Sequence, residues 1–203
     1  DSTSKPERIS FSRMESMMTQ ESFPAGYELT EISYDNGEPL SHYVNDTMLR
    51  LDLDEPLESG ESVTFNINWT FNIIEADVLG GRGGYEYFED DGNYLYEMAQ
   101  WFPRMAAYYD VEGWQNKQFV GNGEFALEFG DYRVEITVPA DHVVASTGVL
   151  QNPNEVLTST QRQRLELARN SDEPVKIVTQ EEALENEKEG TDDTKTWIFE
   201  ADK

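Results

Sequence analysis

Two stretches of this chain carry residue types and spacings that could do chemistry. The first is "AQWFPRMAAYYDVEGW", 99–114, which sets Gln100, Arg104 and Asp110 among two Trp, one Phe and two Tyr. Tyr and Trp combine a large apolar body with a polar tip. Such a segment can be a core corner, a ligand wall or a docking face, and the chemistry alone favours the core corner. The second is Glu89, Asp90 and Asp91, followed by Gly92 and Asn93. Calcium loops of the EF-hand type need ligands at alternate positions and a distant bidentate Glu. That spacing is absent, so a solvated turn is expected.

Other chemistries find less support. "GGRGG", 80–84, lacks the Gly-Lys-Ser/Thr of a phosphate-binding loop and runs into "YEYFEDDGN", so it reads as a flexible turn. The two histidines, His42 and His142, lie 100 positions apart (142 − 42), each in or beside a predicted strand. A catalytic zinc site takes three protein ligands. Structural roles are therefore expected, and no metal site is predicted. No Gly-x-Ser-x-Gly turn supports a serine triad. With no Cys, thiolate nucleophiles and disulfides are excluded.

The elements that would position these residues are mostly strands. Residues 1–26 are polar around a Met-rich patch, "RMESMM", 13–18, equally compatible with a short helix or an irregular loop. "YELTEISYD" alternates, Asn36-Gly37 offers a hairpin turn, and "TMLRLDLDE" alternates again. In "ESVTFNINWTFNII" one face collects Val63, Phe65, Ile67, Trp69, Phe71 and Ile73, as in an antiparallel sheet with one buried side. Residues 75–93 read as a long loop, a length that is often functional. "GEFALEFG" and "DYRVEITVP" are expected to form a second hairpin, with Tyr132, Val134, Ile136 and Val138 sharing a face. "HVVASTGVL" and "TKTWIFEA" add strands, "TSTQRQRLELARN" an amphipathic helix, and "TQEEALENEKEG" a charged helical or disordered stretch. Seven or more short strands with little helix give a mainly β class of sandwich type.

The chain has 203 residues, enough for one sizeable domain or for two small β units sharing a core. Its 41 Asp and Glu against 15 Lys and Arg give a formal charge of −26. Such a surface repels phosphates and anionic lipids, which argues against nucleic-acid and membrane-surface partners. No apolar run approaches the roughly 20 residues a membrane helix needs.

The residues from 94 onward resemble a known family. "MAQWFPRMAAYYDVEGW" and "GEFALEFGDYRVEITVPADHVVASTGVLQNP" are similar to the N-terminal domain of M1-family zinc aminopeptidases, closest to the bacterial branch. That family carries Gln-Trp-Tyr/Phe-Pro, an Asp a few residues later, a Gly-Glu-Phe strand and then Val-Pro-x-x-x-x-Val-x-x-(Ser/Thr)-Gly. The likeness covers about residues 94–155, and the tail from 158 to 183 is similar less specifically. The resemblance implies fused antiparallel β-sandwich units in a saddle-shaped domain. It implies packing against a thermolysin-like catalytic domain of the same parent chain, which would carry the zinc. In the family this domain lends a Gln or Glu to the free amine of the peptide substrate. Gln100 and Glu97 are the candidates here, and the choice between them stays open.

His-Glu-x-x-His and the Gly-Ala-Met-Glu-Asn-type substrate motif are absent from this chain. Residues 1–203 are therefore expected to form one β-rich domain, part of the N-terminal domain of a longer protein. Residues 158–190 would be a helical, charged connector within it. The expected role is a non-catalytic wall of a peptide-binding cleft, inactive alone and without a cofactor of its own. The rival is a free-standing carbohydrate- or peptide-binding sandwich that uses its aromatics as a platform. The compartment stays open, with the periplasm and the exterior among those the chain is compatible with.

Overall fold

The computed structural model describes residues 8–79, 83–90, 92–119, 125–188 and 190–203. The chain divides into two units, Asp1–Glu128 and Phe129–Lys203. Both are built from small antiparallel sheets with a minor helical part.

The first unit opens with helix α1, Phe11–Ser22, so the Met-rich patch is helical. Ser10 caps it by accepting from the Arg13 amide at 3.2 Å, one of the orphan donors of a first helical turn. Strand β1, Glu28–Tyr34, pairs with β4, Phe65–Thr70. Positions 65, 67 and 69 of β4 are half-buried and 66, 68 and 70 exposed, the alternation expected from period 2. Asn36-Gly37 does reverse the chain, with the Tyr34 amide donating to the Glu38 carbonyl at 2.8 Å. It does not join β1 to "TMLRLDLDE", however. β1 is already paired with β4, so β3, Met48–Asp52, pairs with β2, Ser41–Asn45. Gln118 fastens that hairpin turn, accepting from the Thr47 amide at 2.9 Å and donating to the Asn45 carbonyl at 2.6 Å.

The expected long loop over 75–93 is corrected by the structure. Helix α2, Ala76–Leu79, is followed by strand β5, Gly84–Phe88, which pairs with β6, Asn93–Glu97. Two two-residue strands, β7 (Tyr108–Tyr109) and β8 (Gly113–Trp114), form a small hairpin inside the aromatic segment.

The second unit holds a three-stranded sheet, in which β11, Thr194–Ala201, lies between β10, Val149–Leu150, and β9, Tyr132–Pro139. β9 and β11 pair over eight residues, from Tyr132↔Ala201 to Pro139↔Thr194. The expected hairpin between "GEFALEFG" and β9 is not formed among the described residues, 125–130. β9 takes the closing strand as its partner, while Leu127 makes an isolated antiparallel bridge to Ala106 in the first unit. Of "HVVASTGVL", only Val149–Leu150 is strand.

Val156, Leu157, Trp197 and Phe199 are the buried heart of this unit, with Ile136, Val138, Val144, Leu150, Leu165 and Ile177 packed around them. Helix α3, Pro153–Val156, starts on a proline, whose missing N–H would be an orphan in the first turn anyway. Helices α4, Ser159–Ala168, and α5, Gln180–Glu187, each begin with a reciprocal capping box, Thr158 with Gln161 and Thr179 with Glu182. Both lie where the sequence suggested helix. Arg164 of α4 reaches the Glu182 carboxylate at 2.6 Å and the Ile177 carbonyl at 3.1 Å, holding the start of α5 against α4.

Candidate functional site

The site grows from two glycines that let chain segments touch. A Cβ on Gly84 would sit 2.6 Å from the Ile74 carbonyl oxygen, and one on Gly83 2.8 Å from the Glu97 carbonyl oxygen. Gly84 also has φ +146°, a conformation that side chains disfavour. With hydrogen in place of a side chain, Ile74 closes on the hairpin and its carbonyl accepts from the Tyr85 amide at 2.8 Å. So Gly83 and Gly84 mark close backbone approach rather than the flexible turn expected for "GGRGG". The remainder of that motif, 80–82, lies outside the described residues.

This approach shapes a small open cleft of about 200 Å³, lined by Ala76, Asp77, Gly83, Gly84, Tyr85, Glu86, Leu95 and Glu97. Glu97 is the last residue of β6, opposite Gly84, and is exposed. Asp77 and Glu86 add two more carboxylates to the lining. The cleft is therefore an acidic concavity that favours a positively charged group. No cluster of three or more His, Asp or Glu with the geometry to hold a metal occurs among the described residues. The His42 ring lies against the Leu40 carbonyl at 3.1 Å and the His142 ring against Asp141 at 2.8 Å. Glu89 and Asp90 sit exposed in the turn that closes β5–β6, while Asp91 lies outside the described residues.

Gln100 follows Glu97 by one short irregular step and does not line the cleft. It has φ +54°, in the left-handed region. For a residue with a Cβ this costs about 1–2 kcal/mol, and such outliers often sit where a chain must be aimed. The turn swings the chain from β6 into "WFPR". Its backbone is held from outside: the Tyr27 hydroxyl donates to the Gln100 carbonyl at 3.2 Å. Burial pushes the Tyr27 pKa above the ordinary tyrosine value, which keeps that donor protonated.

The aromatic segment divides in two. Trp101 and Phe102 are half-buried. Trp101 meets Trp69 of β4 at 6.4 Å between ring centroids, and Tyr27 meets Trp69 at 6.3 Å and Phe71 at 5.6 Å. That half is the core corner that chemistry favoured. The other half is exposed at Met105, Tyr108, Tyr109, Val111 and Trp114. Arg104 donates to the Glu128 carbonyl at 3.4 Å and lies over the Phe102 ring, while Asp110 is exposed.

No family model, curated protein or solved structure matches this chain.

The structure thus sets Glu97 in an acidic cleft and Gln100 at a strained turn beside an aromatic corner. What the sequence reading missed is the tyrosine hairpin. Its signal was present: Tyr85-x-Tyr87 and Tyr94-x-Tyr96 alternate on either side of Asp91-Gly92, a dipeptide that favours tight hairpin turns.

Proposed function

We propose that this chain is a non-catalytic β domain of an M1-like zinc aminopeptidase, forming one wall of the cleft that receives the peptide's N-terminus. The proposal includes the finer architecture, fused sandwich units in a saddle-shaped domain against a catalytic domain elsewhere in the parent. Zinc belongs to that domain. Two histidines in separate surroundings give no ligand set for it here, so the chain's own part is to bind and orient.

One observation carries the reading. Glu97, singled out by the resemblance as an amine partner, lines a cleft whose other ionisable wall groups include Asp77 and Glu86. A free α-amine is an ammonium at neutral pH and donates three hydrogen bonds, so a carboxylate-lined concavity suits it and repels a C-terminal carboxylate. Gln100, the other candidate, offers a side-chain carbonyl from an exposed, conformationally fixed turn. The Trp69, Trp101 and Phe102 rings beside it give that turn a rigid apolar footing.

The test is hydrolysis by the full-length parent of aminoacyl reporter substrates, with and without a zinc chelator. Chelator-sensitive release from free-amine substrates, and none from their N-acetylated forms, is expected. Equal turnover of acetylated and free substrates, or no turnover with zinc restored, would refute the reading.

A further inference from the structure

The β5–β6 hairpin carries a second surface that Glu97 does not share. Its register pairs Tyr85 with Tyr96 and Tyr87 with Tyr94, while Gly84–Glu97 and Glu86–Leu95 are the alternate pairs. Since side chains alternate along a strand, all four tyrosines fall on one face and the cleft residues Glu86, Leu95 and Glu97 on the other, with Tyr85 alone of the tyrosines also bordering the cleft. The four rings touch. Tyr87 and Tyr94 are 4.7 Å apart between centroids, Tyr85 and Tyr94 5.8 Å, Tyr94 and Tyr96 6.0 Å, and Tyr85 and Tyr96 6.3 Å. Packed rings on a sheet face usually lie under another layer. Here Tyr87, Tyr94 and Tyr96 are 48%, 50% and 44% exposed.

We propose that this tyrosine face is a docking surface for a basic peptide segment, whose arginine or lysine side chains lie over the rings. Three observations select that partner. The rim is acidic: the Tyr85 hydroxyl donates to the Glu75 carboxylate at 3.4 Å, and Glu89 and Asp90 stand in the exposed turn that closes the hairpin. With a formal charge of −26 behind it, the face attracts cations and repels both anionic partners and a second copy of this chain. The rings are also mostly tilted, by 38° between Tyr87 and Tyr94, 49° between Tyr85 and Tyr96 and 61° between Tyr85 and Tyr94, and only Tyr94 and Tyr96 lie near-parallel at 20°, which makes a ridged surface more than the flat bench a sugar ring stacks on. A cation needs only one ring face at a time, within about 6 Å of its centroid. The chain makes this contact internally as well, where Arg50 lies 5.9 Å from the centroid of Tyr43.

The inference does not rest on the aminopeptidase reading, because it uses side-chain cations rather than a free amine and the opposite side of the hairpin.

The test uses the full chain and an N-acetylated, C-amidated peptide of alternating glycine and arginine. Its controls are the same peptide with glutamine for arginine and a neutral glucose oligosaccharide. Saturable binding of the arginine peptide is expected, with amide shifts on β5–β6. Binding should weaken about tenfold in Tyr87→Leu/Tyr94→Leu, which keeps apolar bulk but removes two ring faces. It should stay within about twofold in Tyr87→Phe/Tyr94→Phe, which keeps the rings and guards against a folding artefact. Several results would overturn the proposal. One is undiminished binding by the folded leucine variant, which would leave only net charge. Another is equal binding of the glutamine peptide or preferential binding of the oligosaccharide. A third is a chain dimer that the leucine variant dissolves.

Discussion

The Tyr27 hydroxyl and the Gln100 carbonyl, 73 positions apart, meet at 3.2 Å and tie the start of β1 to the left-handed turn after β6. The bond holds a turn that Gln100 does not favour on its own. Removing the hydroxyl in Tyr27→Phe leaves the ring contacts to Trp69 and Phe71 in place. The expected loss is at the low end of about 0.5–1.5 kcal/mol, because the bond is solvent-accessible. Gln100→Gly should offset it by relieving the left-handed strain. Urea unfolding of both single variants and the double variant tests this. A Gln100→Gly variant clearly less stable than the parent would mean that the turn is not strained.

Trp69 joins two aromatic neighbourhoods but is only half-buried. Full burial would make Trp69→Ala cost about 3–5 kcal/mol. With one side open to water, about 2 kcal/mol is expected. An unchanged urea midpoint would contradict the packing of β4 against Trp101.

These two cases show what was legible in the sequence. The period-2 faces of β4 and β9 could be read because alternation is local, and Phe65, Ile67, Trp69, Val134, Ile136 and Val138 are all half-buried between exposed neighbours. Strand partners are a different matter. Which strand pairs with β9 depends on the match of Tyr132–Pro139 to a segment 55 or more positions onward (194 − 139), and nothing within "GEFALEFG" reveals that competition. At the site, only the family resemblance points to Glu97 and Gln100. The acidic cleft around Glu97 depends on how closely Gly83 and Gly84 let backbones approach, which residue type permits but does not specify.

Trp197 is buried at 3% exposure, and its indole Nε1 is a buried donor without a partner among the described residues. An unpaired buried donor costs about 1–3 kcal/mol. Trp197→Phe removes both that penalty and some ring volume, so its net effect should lie within about 1 kcal/mol. Trp197→Ala, which leaves a cavity among Val156, Leu157 and Phe199, should cost about 3–5 kcal/mol. Thermal unfolding of the two variants separates the contributions. A Phe variant as damaged as the Ala variant would show that the indole N–H is satisfied in solution.

Glu182 is held below the usual carboxylate range first by the Thr179 backbone amide it accepts from, then by Arg164. Its folded pKa is thus depressed from 4.5. A depressed acid contributes stability above its unfolded value and loses it as pH falls through the folded value. The second unit should therefore weaken as pH drops below about 4.5. Glu182→Gln should lower stability at neutral pH and flatten that acid limb. A limb as steep in the variant as in the parent would place the acid sensitivity elsewhere.

The last prediction separates Glu97 from Gln100 in the full-length parent. If Glu97 receives the substrate ammonium, Glu97→Gln keeps the shape of the cleft and its hydrogen-bond acceptor but removes one negative charge beside Asp77 and Glu86. A hydrogen bond to a charged group contributes about 1.5–3 kcal/mol, so loss of that charge should lower kcat/KM for free-amine substrates by about ten- to a hundredfold. Gln100 stands outside the cleft lining, and its backbone, rather than its amide, makes the fixed contact with Tyr27. Gln100→Ala should then cost less than Glu97→Gln, and its effect should shrink when Gln100→Gly is used to relax the turn. Both variants should unfold close to the parent, because neither side chain is buried. A larger loss from Gln100→Ala than from Glu97→Gln would reverse the assignment and make the amide the amine partner. Unchanged kinetics in both, and in the double variant, would leave Trp101 and Phe102 as a plain core corner and the acidic cleft without a role in substrate binding.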